Sequence, residues 1–149
     1  MRTYQLIRTL TVAICLMLTG IGTAQAGKKA EMRVNYVLQN IGIKRDLQAK
    51  LRPLLVSYLA DKKTANKEYD ALKTKLKSSI NNGTLTEKQA QALLNAKWTA
   101  DEKELAVKRQ YETKFMTVLS AKKTYLCFDL LNDKKSKIAN KDASEQDDE

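Results

Sequence analysis

The chain has 149 residues and a formal net charge of +10, from 27 lysines and arginines against 17 aspartates and glutamates, and it contains no histidine. The absence of histidine removes the commonest metal ligand and the commonest acid–base catalyst, and two cysteines cannot form a thiolate metal cage. The composition therefore argues against zinc, haem and catalytic-triad chemistry. We expect a protein that acts through a surface, with no catalytic residue, cofactor or bound metal.

Residues 1–26 have the order of a secretory signal peptide. A basic start is followed by an apolar stretch, residues 10–18. The segment then ends in Thr23-Ala24-Gln25-Ala26, whose small residues form an A-x-A cleavage site. We predict cleavage after Ala26, so that the mature chain begins at Gly27. A retained membrane anchor would need about 18 or more apolar residues, and threonines and glycines interrupt this stretch too soon.

The positive charge is concentrated in the body of the mature chain. Residues 27–141 carry 25 basic against 12 acidic side chains, whereas five of the last eight residues, 142–149, are acidic. The acidic tail has no aromatic or branched apolar residue, and we predict that it is disordered. Because an exported protein rarely meets DNA, polypeptides, anionic lipids and envelope polymers fit the basic body better than nucleic acid does.

Apolar periodicity predicts helices throughout the body. A short helix, residues 30–40, precedes one long amphipathic helix, residues 44–80, in which Pro53 is expected to produce a bend rather than an end. Its apolar residues are spaced alternately four and three residues apart, which is typical of a coiled-coil seam. Lys62 lies in that seam. We expect it to be either a snorkelling side chain at a dimer edge or a contact to a bound polypeptide. The seam consists of Leu51, Leu54, Leu55, Tyr58, Ala65, Tyr69, Leu72, Leu76 and Ile80.

A turn separates this helix from a second long helix. Asn81-Asn82-Gly83 is typical of a helix stop, which we prefer to a glycosylation acceptor at Asn82. Thr86 and Gln89 then form a T-x-x-Q capping box that follows the apolar residue Leu85. The second helix is predicted to run to about Ser120, which could cap a last helix.

The apolar line of the second helix is expected to face the hairpin core, and we place Trp98 and Phe115 in that core because aromatic side chains on a helical stripe normally pack. The polar middle, residues 101–110, is expected to face water or a partner. Its carboxylates are explained by ion pairs one turn apart and lack a nucleophile, so we do not expect an enzyme. The apolar line consists of Leu94, Trp98, Leu105, Phe115 and Leu119.

These elements predict an all-α fold, a long antiparallel helical hairpin with short flanking helices. Two helices of this length with so narrow a seam cannot bury all their apolar surface in one hairpin, which favours a self-associated dimer. Cys127 is expected to be a small buried hydrophobe between Leu126 and Phe128. The alternative is an unpaired thiol that links two chains in an oxidising compartment.

Three segments resemble the Spy/CpxP family of bacterial periplasmic stress chaperones, particularly its Bacteroides-type forms. Residues 85–89, LTEKQ, reproduce the family's L-T-x-x-Q motif at the start of a long helix. Residues 51–58 are similar to its bulky-x-P-L-x-x-x-Y stretch. Residues 104–123 resemble its usual second half, a charged helix that runs into an L-x-x-K-K corner, so that the similarity covers about residues 43–131. Where relatives usually repeat L-T-x-x-Q, this chain has residues 43–48, which lack a hydroxyl cap.

The resemblance implies a curved all-α hairpin that forms an antiparallel dimer, a cradle that holds unfolded or misfolded proteins in the periplasm without ATP. Independently, one side of the first long helix, about 100° to 180° from Tyr58, is basic and partly apolar. Such a face can attract polypeptides by long-range charge and hold them by non-directional contact, although it also fits an ordinary solvated helix face. We call this set the basic shoulder: Arg45, Arg52, Leu59, Lys63, Lys67 and Lys77.

The leading hypothesis from the sequence is an ATP-independent periplasmic chaperone or stress adaptor that binds unfolded or misfolded envelope proteins on the basic shoulder. The alternative is a regulatory protein that docks the periplasmic domain of a membrane stress sensor. A third class, a binder of anionic lipid or polymer, would lose affinity sharply with salt.

Overall fold

The structure, a computed structural model, describes residues 24–133, with side chains from residue 27. Most of the predicted signal segment and the whole acidic tail lie outside the described residues. Within them the chain forms helices and turns and no strand, which confirms the all-α prediction. The helices are α1 (Ala24–Asn40), α2 (Arg45–Lys75), α3 (Lys77–Asn81), α4 (Glu87–Met116) and α5 (Ala121–Asn132).

The first long helix is divided in two where the sequence predicted one. Leu76 has φ −96° and ψ 7°, which separates α2 from α3. The Ile80 N–H still bonds to the Leu76 carbonyl at 3.0 Å, so helical hydrogen bonding resumes directly after the interruption. α2 continues through Pro53, as expected, with the loss of the one backbone hydrogen bond that the proline nitrogen cannot donate.

The turn between α3 and α4 is closed by backbone hydrogen bonds around Gly83. The Thr84 N–H bonds to the Ser79 carbonyl at 2.9 Å, and the Gly83 N–H bonds to the Ile80 carbonyl at 3.3 Å. This pattern requires a left-handed residue after the helix, and Gly83 has φ +67°. The predicted helix stop is confirmed, and the sequence around Asn82 is explained by the turn.

Side-chain caps begin the last two helices where the sequence placed them. The Gln89 N–H bonds to Thr86 Oγ1 at 3.3 Å, and the Thr86 N–H bonds to Gln89 Oε1 at 3.0 Å. Ser120 Oγ accepts a bond from the Lys123 N–H at 3.4 Å at the start of α5. Each cap satisfies a backbone donor that a helix start would otherwise leave unpaired.

α2 lacks such a cap, and its first turn is attached to α1 instead. Lys44 precedes the helix without a side-chain cap bond. The Gln48 amide donates to the Leu38 carbonyl at 3.3 Å and to the Ile43 carbonyl at 3.2 Å. Gln48 therefore ties the start of α2 to the end of α1.

The buried core lies at one end of the molecule. There α1 and α5 pack beside the antiparallel hairpin that α2 and α4 form. Tyr58 is its centre, with ring centroids 5.4 Å from Tyr111, 6.0 Å from Phe115 and 5.7 Å from Phe128, in edge-to-face contacts that aromatic pairs prefer. The core consists of Val34, Val37, Leu38, Ile41, Leu51, Leu55, Tyr58, Tyr111, Phe115, Leu119, Cys127 and Leu131.

Beyond this core the hairpin continues as two helices with few buried apolar side chains. In this part, residues 62–107, which we call the distal hairpin, only Ala65 and Ala100 are buried. Polar contacts connect the helices there, including the Lys103–Glu68 ion pair at 3.3 Å. No helix within residues 24–133 combines the length and apolarity needed to span a bilayer.

The side of α4 that packs against the core differs from the predicted one. Phe115 is fully buried, as predicted, but the expectation that Trp98 lies in the core is wrong, because its side chain is 60% exposed. The face of α4 that meets α2 carries Ala100 and Tyr111 instead. Small residues let two helices approach closely, so the bulky Trp98 lies on the outer side.

Candidate client-binding surface

The structure places four of the basic shoulder's cations along one side of α2. Arg45, Arg52, Lys63 and Lys67 are all exposed, and their spacing puts them on the face turned away from the buried seam. Lys77 is exposed as well, but it follows the Leu76 interruption in α3. The shoulder is therefore a continuous row on α2 with an extension across the helix break.

The shoulder's main exposed apolar residue is Val56, where the sequence analysis had named Leu59. Leu59 is half-buried and packs against the core, whereas Val56 is 46% exposed. At 100° per residue, Val56 falls about 160° from Tyr58, within the shoulder and one turn after Arg52. Sequence reasoning missed Val56, although the same angular count would have found it.

The cations of the shoulder differ in how firmly they are held. Arg52 donates a hydrogen bond of 2.6 Å to Asn35 Oδ1, which anchors it to α1. Among the described residues, no hydrogen bond or ion pair holds the head groups of Arg45, Lys63 and Lys67. Asp70 is an exposed acid on the same face of α2. Of the four cations on α2, the shoulder thus has one that is fixed and three whose head groups no described side chain holds.

Lys62 belongs to the inside of the hairpin, contrary to both sequence interpretations. Its Nζ lies 3.0 Å from Glu104 Oε1, and the two side chains are 24% and 18% exposed. Glu104 also accepts from Lys108 at 2.9 Å and from Asn66 at 3.1 Å. The expectation that Glu104 faces water or a partner is therefore wrong, because three donors from α2 and α4 enclose its carboxylate.

Cys127 is fully buried, in agreement with its prediction as a small hydrophobe. Burial raises the pKa of Cys127 to about 12, because the apolar surroundings disfavour the thiolate. A link between two chains through this thiol would require α5 to leave the core. Within residues 24–133, no three His, Cys, Asp or Glu side chains lie close enough together to form a metal site.

A second exposed surface lies on the outer side of α4, where the sequence predicted core. We call it the α4 stripe. At 100° per residue its four members fall within about 40° of one another, and its length is about 33 Å. Their exposed fractions lie between 49% and 60%. The members are Leu94, Trp98, Leu105 and Met116.

The residues of the L-T-x-x-Q motif lie at the far end of the hairpin. Thr86 and Gln89 form the capping box, and Leu85 is half-buried just before it. Hydrogen bonding within the cap accounts for Thr86 and Gln89, so their role is to start α4 after the turn. They lie on a different element from the shoulder's α2 residues.

Comparison with protein-family models, curated proteins and solved structures gives no significant match. The relationship to the Spy/CpxP chaperones therefore stays a prediction based on the three segments described above. What the chain itself offers is a charged and partly apolar row on α2, and a separate apolar stripe on α4.

Proposed function

We propose that the protein is an ATP-independent chaperone of the bacterial periplasm, which holds unfolded or misfolded envelope proteins on the basic shoulder. The single observation that carries this proposal is the row on α2 in which exposed Val56 lies between the anchored Arg52 and the unpaired cations Lys63 and Lys67. The localisation and the class of client come from the predicted signal peptide and from the resemblance to periplasmic chaperones.

The shoulder suits weak and unselective binding of unfolded chains. Charges act over a Debye length of about 8 Å at physiological salt, so Lys63 and Lys67 attract acidic or polar segments before contact. Val56 and the exposed part of Leu59 then offer apolar contact, which has no directional requirement. Long lysine side chains adapt to many client geometries because their ammonium groups are not fixed by ion pairs.

Light scattering of a reduced, aggregating client tests the proposal, with the purified protein added in the absence of ATP. We expect suppression of aggregation at near-stoichiometric ratios. The double variant Lys63→Glu/Lys67→Glu should need about threefold or more protein for the same effect, because reversing two charges replaces attraction by repulsion. The matched control is Lys50→Glu/Lys75→Glu, which changes the net charge equally at two exposed positions on the other flank of α2.

The experiment also separates the alternative functions. No suppression at several-fold excess would contradict the chaperone proposal and favour the regulatory protein that docks a folded sensor domain. Equal loss in both double variants would indicate binding to net charge alone, as expected of an anionic-lipid or polymer binder. Selective loss in the shoulder variant supports the chaperone.

A further inference from the structure

The end of the hairpin carries a concentration of positive charge. We call residues 71–90 the hairpin tip, which consists of the last residues of α2, the short helix α3, the turn at Gly83 and the first residues of α4. The hairpin tip has four lysines and one glutamate, whereas the neighbouring stretches of the two long helices, residues 59–70 and 101–112, together have six basic and seven acidic side chains. The charge is therefore nearly balanced along the middle of the hairpin and strongly positive at its end.

The four lysines of the hairpin tip are accessible. Lys73, Lys75, Lys77 and Lys88 are all exposed, and none of them forms an ion pair within residues 24–133. Lys73 lies over the ring of Tyr69, with its Nζ 5.8 Å from the ring centroid. An anionic surface can therefore approach these lysines without first breaking an ion pair.

An exposed apolar side chain lies among these lysines. Ile80 is 39% exposed, although the sequence placed it in the seam of the hairpin. It follows Lys77 by three residues and therefore lies on the same side of α3 as that lysine. The next four residues, 81–84, are exposed and uncharged. The end of the hairpin thus combines an isoleucine with lysines and small polar residues.

This combination fits the surface of an anionic bilayer. Each lysine near such a surface strengthens binding by about fivefold, because lipid headgroups attract its charge. An apolar side chain can enter the boundary between headgroups and acyl chains without a matching pocket, and lysine stems extend beside it while their ammonium groups stay with the phosphates. A folded partner protein would need a cavity shaped for Ile80, and an unfolded polypeptide has no comparable density of negative charge.

We propose that the hairpin tip is a peripheral binding surface for anionic phospholipid bilayers, with Ile80 at the headgroup boundary and the four tip lysines on the phosphates around it. The contact is reversible, because one apolar side chain and a few lysines bind far more weakly than a spanning helix. Lys77 is the only member of the basic shoulder that lies in the hairpin tip, so the rest of the shoulder stays free for a client. The proposal goes beyond the chaperone function and can be tested with vesicles alone.

Co-sedimentation with vesicles tests the charge requirement. At about 50 mM salt the protein should bind mixed phosphatidylglycerol–phosphatidylcholine vesicles at least about tenfold more strongly than pure phosphatidylcholine vesicles, and about 500 mM salt should remove the difference. Lys75→Glu/Lys88→Glu should lower the partition coefficient at least about 20-fold, since two tip lysines are lost. The matched control is Lys50→Glu/Lys122→Glu, which changes the net charge equally at two exposed positions at the core end of the molecule. This control should stay within about threefold of the unchanged protein, because its charges lie more than a Debye length from the bilayer.

Tryptophan fluorescence tests the depth and the orientation of the contact. The chain has one tryptophan, Trp98, which lies about 16 Å along α4 from its start. In the variant Ile80→Trp/Trp98→Phe, the indole at position 80 should emit at shorter wavelength on anionic vesicles and be quenched by lipids brominated in their acyl chains. Trp98 of the unchanged protein should be quenched at least about threefold less, because it lies outside the tip. All variants share the same N-terminus, so any contribution of the predicted signal segment cancels in these comparisons.

A further variant separates a bilayer from a soluble anion. Ile80→Ser should weaken vesicle binding by about threefold or more, because it removes the apolar contact, and circular dichroism should show unchanged helicity. Undiminished binding of Ile80→Ser, with no quenching at position 80, would overturn the bilayer proposal and indicate a site for soluble anionic polymers.

Three other results would also overturn the proposal. They are no binding of the unchanged protein to anionic vesicles, equal losses in the Lys75→Glu/Lys88→Glu and Lys50→Glu/Lys122→Glu variants, and stronger quenching of Trp98 than of the indole at position 80. The last result would place the α4 stripe on the bilayer. Client holding without vesicles should be unchanged in Lys75→Glu/Lys88→Glu, so that a failure of this proposal is distinguished from a failure of the proposed function.

Discussion

Glu104 Oε1 lies 3.0 Å from Lys62 Nζ, so that a carboxylate from the middle of α4 meets an ammonium group from α2 inside the hairpin. Lys108 and Asn66 supply the remaining donors to Glu104. A charge this shielded from water is stable only with its partners in place. The cluster therefore specifies how α2 and α4 align in the distal hairpin, where large buried side chains are few.

The Glu104 cluster predicts a particular pH dependence of stability. Burial by itself would raise the pKa of Glu104, but hydrogen bonds from Lys108, Lys62 and Asn66 outweigh burial and lower the pKa to about 2. An unfolded glutamate titrates near 4.3, so the folded state binds this proton more weakly than the unfolded state. The stabilisation is therefore complete above about pH 4.3 and is lost as the pH falls towards 2.

Glu104→Gln should remove this component. We expect its free energy of unfolding to be lower by about 2 kcal/mol at pH 7, and to fall less steeply between about pH 4 and 2. Denaturant unfolding at a series of pH values measures both effects. The control is Glu31→Gln, at an exposed site on α1, and an equal flattening of its pH profile would show that Glu104 is not responsible.

Phe115 and Trp98, on the same helix, should differ strongly in how much stability their truncation costs. Phe115 is 0% exposed, and Phe115→Ala should lower the free energy of unfolding by about 3–5 kcal/mol because it leaves a cavity among the rings. Trp98 is 60% exposed, and Trp98→Ala in dilute solution should cost about 1 kcal/mol or less. Chemical denaturation of both variants compares them, and equal losses would contradict the packing described here.

Cys127 should be unreactive in the folded protein. Its thiol is fully buried and its pKa is raised to about 12, so very little thiolate is available at pH 8. An aromatic disulfide reagent should therefore modify it at least about 100-fold more slowly than in denaturant. Cys127→Ser provides the background from any other thiol, and rapid modification without denaturant would refute the burial of this side chain.

The acidic tail, residues 142–149, is predicted to compete with clients for the basic shoulder. The described chain ends near that surface, because Asp133 accepts a 2.8 Å bond from Tyr36, and the neighbouring Asn35 accepts from Arg52. Deleting the tail should tighten binding of an acidic unfolded polypeptide by about threefold or more at low salt, and the gain should vanish at high salt.

Fluorescence anisotropy with a labelled, permanently unfolded chain measures this affinity. A variant with the same tail residues in scrambled order serves as control, because it keeps the charge and should bind like the unchanged protein. Equal affinity with and without the tail would disprove the competition.

The sequence predicted helix boundaries well wherever the signal was local. The stop at Gly83 and the cap at Thr86 depend on residues within one turn, so their chemistry can be recognised without the rest of the fold. The division at Leu76 was not predicted, because no proline, glycine or capping residue stands at that position. Nothing in the local sequence distinguishes it from the rest of the seam.

The inward face of α4 was harder to predict than its ends. Its large apolar residues, Leu94, Trp98 and Leu105, suggested one line, but α2 packs against another that includes Ala100 and Glu104. The small side chain of Ala100 adds little to an apolar pattern and Glu104 adds nothing, and the place of Glu104 inside the hairpin depends on Lys62 and Asn66, about 40 residues away. The cations of the basic shoulder are exposed, as the angular count indicated, but Leu59 is half-buried and the exposed Val56 was overlooked.

The position of the core at one end of the molecule has a consequence for how the chain opens. Separating α2 from α4 beyond Ala65 and Ala100 exposes little apolar surface, whereas separating them at Tyr58 and Phe115 unfolds the whole aromatic cluster. Backbone amides near the hairpin turn should therefore exchange with solvent through partial fraying, and those near Tyr58 only through global unfolding. The aromatic end of the hairpin is therefore expected to open only with the whole protein, whereas the distal hairpin opens locally and more often.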